Sequence, residues 1–97
     1  MLHTVNKSPF SSDALNECAR FASTGSDILL IEDGVYAAKA GSAYEPALKD
    51  VVKKCAVYAL EADLKARGVT ALVPGVKTVA YAGFVELVEK SKVHTWL

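Results

Sequence analysis

Residues 56–68, AVYALEADLKARG, pass without a break from an apolar run into a helical one. Ala56 to Leu60 is a short apolar stretch of the kind buried on both faces of a parallel sheet. Lys65 and Arg67 then fall in the last turn of a short helix, where cations complement the helix dipole, and Gly68 stands where a left-handed terminator belongs. A strand that feeds a helix in this way is half of a βαβ unit, and the same alternation recurs on both sides of it.

Upstream, Asp27 to Glu32 reads as a second strand of the same kind, and Leu2 to Val5 as a third. Between those two, Ser8-Pro9 or Ser12-Asp13 can start a helix that runs to about Ser23, ahead of Gly25. Ser42 to Glu45 has the spacing of a capping box, and Tyr44, Leu48, Val51 and Val52 recur on one face of a helix reaching about Lys54. Downstream, Pro74-Gly75 turns into a strand at Val76 to Ala80. Phe84, Leu87 and Val88 give a final helix its apolar stripe, and Ser91-Lys92 leads to a last strand at Val93 to Trp96. Five strands and four helical connections with right-handed crossovers make a sheet covered on both faces. The expected fold class is α/β, a three-layer α/β/α sandwich in a single domain over residues 1–97. Strand order is not legible at this level.

Composition narrows the function. A chain of 97 residues buries about two-thirds of the surface its unfolded form exposes, which allows only a thin core. Yet 52% of the residues are hydrophobic and 23% charged, more apolar than a small soluble monomer needs, so a partner is expected to cover the surplus. Eleven basic side chains balance eleven acidic ones, and no basic run exceeds Lys53-Lys54. Direct binding of nucleic acid or of an anionic membrane is therefore not expected. No signal-like segment opens the chain and no apolar run approaches membrane-spanning length, which points to the cytoplasm. The two cysteines, 37 positions apart, form no CxxC and have no histidine at ligand spacing, so reduced thiols are expected rather than a metal site or a disulfide.

Three segments, LHTVNKSPF (2–10), IEDGVYAA (31–38) and LEADLKARG (60–68), resemble the DsrH/TusB family, small subunits of bacterial sulfur-relay complexes. The match runs in order from Leu2 to Trp96. The resemblance implies a five-stranded, largely parallel sheet of the DsrEFH-like kind, in agreement with the element count. It also implies a subunit without strong catalytic power of its own, assembled with DsrE/TusD-like and DsrF/TusC-like subunits, two of each, into a heterohexameric sulfurtransferase. That complex would pass persulfide sulfur to a DsrC/TusE-like carrier, with no metal, nucleotide or organic cofactor. DsrH proteins of sulfur oxidisers resemble this chain in having a cysteine in the first helix. On that resemblance and the closeness of the LHTVNKSPF opening, dissimilatory sulfur oxidation is the leading expectation and the TusB role in 2-thiolation of the tRNA wobble uridine the alternative. A stand-alone Cys18 sulfurtransferase and a purely structural homo-oligomer are further alternatives.

Cys18 is the candidate acceptor, because a thiolate can hold sulfane sulfur and pass it on by exchange. Leu15, Cys18 and Ala22 share a helical face, however, and a buried thiol is inert. The family places the principal acceptor on the DsrE/TusD-like subunit, which leaves Cys18 as an accessory persulfide candidate. Cys55 follows two lysines that could lower its pKa if exposed, but as the first apolar residue of a strand it is expected to pack. Glu32 and Asp33 close a strand at the sheet edge where α/β proteins place ligands. The simpler expectation is that Asp33 caps a short helix near Val35 and Gly34 supplies an unusual backbone angle. His3 and His94 sit in strands and are expected to be satisfied there. Trp96 is expected to dock its ring against the domain or a neighbouring subunit.

Overall fold

The computed structural model describes residues 1–96. Five parallel strands, β1 (Leu2–Val5), β2 (Asp27–Leu30), β3 (Ala56–Leu60), β4 (Lys77–Val79) and β5 (Val93–Trp96), lie in the order β4-β3-β2-β1-β5. The helices are α1 (Ala14–Phe21), α2 (Glu45–Lys54), α3 (Glu61–Ala66) and α4 (Tyr81–Lys90), with a 3₁₀ segment over Glu32–Ala38. From β1 to β4 the chain steps steadily along the sheet, so right-handed crossovers place α1, α2 and α3 on one face. The return from β4 to β5 spans the whole sheet in the opposite direction, and the same handedness puts α4 on the other face. The expected three layers are present, but they are unequal.

Alternation along the strands sorts the core. Val5, Ile28, Leu30, Val57 and Ala59 point to the crowded face and join Leu15, Cys18, Leu48, Val51 and Leu64 in one cluster. Leu2 and Leu29 face the other way and are also fully buried. Above them α4 has no buried residue, and Tyr81 is 70% exposed. The apolar surplus expected from composition therefore surfaces on α4, with Val85 and Val88 exposed as well.

Local chemistry decides the helix ends. Ser8-Pro9 makes a turn instead of starting the helix: the Ser8 carbonyl accepts from the Ser11 and Ser12 amides, and its hydroxyl accepts from the Phe10 amide. α1 starts after Ser12-Asp13, where the Ser12 hydroxyl accepts from the Ala14 amide at 3.1 Å. At α2 the Ser42 hydroxyl accepts from the Tyr44 amide and the Glu45 carboxylate from the Gly41 amide, at 3.2 and 2.7 Å. This is the reciprocal logic of a capping box, tightened by one residue at the serine and lengthened by one at the glutamate. The Gly41 bond, then Lys49, hold the Glu45 carboxyl below its ordinary range.

Two strands are shorter than expected. β2 stops at Leu30 because the backbone turns left-handed at Glu32, φ 49°, and β4 covers only Lys77–Val79 of the expected Val76–Ala80.

Candidate functional site

Cys18 lies on the inward face of α1, with Ala14, Leu15 and Ala22 buried beside it, and is itself 0% exposed. Burial, with a smaller contribution from Cys55, pushes its thiol up to about 12, against a weaker opposing pull from Lys54. In this conformation it is a protonated, enclosed apolar side chain. Cys55 is also buried, and its thiol donates to the Ser23 carbonyl at 3.7 Å. It packs as expected of the first apolar residue of a strand: Lys54 donates its ammonium to the Ala19 carbonyl at 3.1 Å, and burial raises the Cys55 pKa against the opposing pull of that lysine. Neither cysteine is in a disulfide.

The loop at the carboxyl end of β2 is held by ion pairs. Asp33 Oδ1 accepts from Arg67 Nε at 2.8 Å, and Arg67 Nη1 lies 3.7 Å from Asp63 Oδ1. Asp63 Oδ2 in turn accepts from the Glu32 amide at 2.7 Å, a bond available because of the left-handed turn there. Asp33 is thus not the expected helix cap, since no side chain caps the 3₁₀ segment. Gly34 does not supply the unusual angle either. Its place is steric, because a Cβ added to it would lie 2.2 Å from the Val5 carbonyl oxygen. The carboxylates clamp α3 to this segment, and their arrangement offers no paired acid and base.

His3 and His94 are in register on adjacent strands, with ring centroids 6.1 Å apart. His3 is buried and accepts at Nδ1 from the Trp96 indole N–H at 3.1 Å. The Phe21 ring, 78% exposed on α1, meets Trp96 edge-on at 5.9 Å. The expected docking of Trp96 is therefore onto β1 and α1. An open depression of about 440 Å³ between α1 and α2 is lined by Asp13, Asn16, Arg20, Tyr44, Asp50 and Lys54 among others. Its polar groups are partly spent, since the Tyr44 hydroxyl donates to Asn16 Oδ1 at 2.7 Å. Among the described residues no His, Cys, Asp and Glu side chains gather as a metal site, and no helix is long and apolar enough to cross a membrane.

Among the described residues neither thiol is accessible, while α4 is underburied and Phe21, His94 and Trp96 form an aromatic corner. Known proteins supply the context. A family model described as DsrH like protein matches residues 7–94. The chain is 43% identical over 89 residues to the protein TusB of Erwinia tasmaniensis, covering 90% of each. With the protein TusB of Serratia proteamaculans it shares 40% identity over 93 residues, 95% of each. The ychN protein from E. coli has the same fold, with a TM-score of 0.82 over 98% of this chain and 97% of that one at 18% identity. A family match over nearly the whole length, with relatives at this level of identity, shows that the chain belongs to the DsrH/TusB family.

Proposed function

We propose that this chain is the TusB-type subunit of a sulfur-relay complex whose sulfur is destined for 2-thiolation of the tRNA wobble uridine. The observation that carries this reading is the near full-length similarity to TusB proteins. It replaces the sulfur-oxidation role expected from Cys18 and the opening segment, because the relatives favour the TusB alternative. The buried state of Cys18 removes much of the weight placed on that residue. In this account its main work is to pack α1, and accessory persulfide transfer at Cys18 would require α1 to lift from the sheet first.

The chain then contributes to the complex by assembly. Its partners are TusC-like and TusD-like subunits, two copies of each polypeptide, and a TusE-like carrier takes up the sulfur. Both of its own thiols are buried and held protonated, which supports placing the reactive thiol on another subunit. The exposed apolar side chains of α4 fit a subunit made to be partnered. The test is native mass spectrometry of this chain co-expressed with TusC-like and TusD-like subunits from the same genome. The expected species holds two copies of each. A chain that pairs only with itself would favour the structural homo-oligomer, and one that stays alone would remove the assembly role and turn attention to Cys18 on the isolated protein.

A further inference from the structure

β5 closes one edge of the sheet and pairs with β1 alone, and Val93, His94 and Thr95 along it are exposed. Its far end is secured by a side chain: Trp96, opposite Val5, donates its indole N–H back to Nδ1 of buried His3. An indole N–H can only donate, so this bond requires an unprotonated Nδ1. We propose that His3 is a proton-operated catch for the closing strand, accepting the Trp96 indole as a neutral imidazole and releasing it when a proton from solvent occupies Nδ1.

The surroundings favour the neutral form. From β5 the facing titratable group is His94, whose ring lies 6.1 Å from His3 and 4.5 Å from Trp96. Just before β1 the α-amino group of Met1 also acts on His3, and from β2 the residue in register is uncharged Ile28. From α1, Glu17 and Arg20 line the depression beside Trp96 and oppose each other in charge. Burial, then His94 and the α-amino group, hold His3 below its ordinary 6.5. With the folded value lower than the unfolded one, the catch is intact above about pH 6.5 and is lost as pH falls through the folded value. The backbone ladder and the Thr4–Thr95 hydroxyl bond at 3.1 Å do not depend on this proton, so release is confined to the Trp96 end of the strand.

Trp96 is the sole tryptophan, so its emission reports the catch directly. Acrylamide quenching of the full chain is to be followed from pH 8 to pH 5, with far-ultraviolet circular dichroism recorded on the same samples. The expected result is greater quenching and a red-shifted emission below the ordinary histidine range, at constant circular dichroism. His3→Gln, whose amide oxygen can accept but does not titrate, should flatten the profile, and His94→Gln should keep the rise. A flat profile in the unmodified chain overturns the proposal. So does a rise that persists in His3→Gln, one that disappears in His94→Gln, or one that coincides with loss of circular dichroism.

Discussion

Iodoacetamide at about pH 8 is expected to alkylate Cys18 in the folded chain about a thousandfold more slowly than in the urea-unfolded chain. The thiolate is the reacting species, and burial moves this thiol from 9.0 to about 12. Each pKa unit is a factor of ten in thiolate below the ordinary value, so roughly three units remove about a thousandfold before steric shielding is counted. The side chain has no exposed surface through which reagent could approach, which lowers the rate further. The same shift sets the direction of alkaline stability. The folded thiol titrates above the unfolded one, so its contribution is complete below about pH 9 and is lost as pH rises towards 12. Peptide mapping of alkylated Cys18 against time is the measurement. Equal rates in the two states would mean that α1 opens freely and would restore Cys18 as a ready sulfur acceptor.

Gly34→Ala is expected to destabilise the chain by about 3 kcal/mol, at the upper end of the ordinary cost of overpacking. The new methyl would lie 2.2 Å from the Val5 carbonyl oxygen and 3.0 Å from its carbon. These are backbone atoms of a strand whose four residues are all buried, so neither can swing aside as a flexible side chain would. The same Val5 oxygen accepts from the Ile31 amide at 3.0 Å, and the bonded turn at Glu32 follows immediately. Moving the 3₁₀ segment outward would strain both of those bonds. Against a typical total stability of about 5–15 kcal/mol, the loss is large, and for a chain of this length it lowers the melting temperature by roughly 10 °C or more. Urea unfolding followed by circular dichroism measures it. A change under about 1 kcal/mol would show that the segment is not pressed against β1 as described.

Much of the architecture was legible because each element carries its own signal. Ala56–Leu60 followed by Glu61–Ala66 needed only a short apolar run, a cationic last turn and Gly68, and both elements stand where those signals put them. The buried faces of α1 and α2 followed from helical spacing alone: Leu15, Cys18 and Ala22, and Tyr44, Leu48 and Val51, are buried, and Val52 of the same expected face is partly buried against them. Strand order was not legible, since it depends on contacts far apart in sequence. The unequal cover of the two faces follows from that order and stayed hidden with it.

The loop after β2 shows a different limit. Asp33 beside Gly34 has the look of a cap and a turn glycine, but the partners that redirect it come from α3, about thirty residues later. Arg67 takes Asp33, and Asp63 takes the Glu32 amide, which leaves the left-handed angle on a glutamate. Gly34 is required by the approach of β1, a contact that no local pattern encodes. For His3, strand position correctly indicated a satisfied histidine, while its partner Trp96 lies 93 positions away. The family resemblance reached the right family and then leaned on Cys18 to choose a branch. Helical spacing had already placed that side chain in the core.

The most direct test of the central claim is the 2-thiouridine content of tRNA in a bacterium that lacks its own TusB and expresses this chain. The account predicts that thiolation returns towards the wild-type level, and that Cys18→Ser restores it nearly as well. A chain that accumulates and joins the host's TusC and TusD subunits, yet leaves tRNA unthiolated, would contradict the assignment.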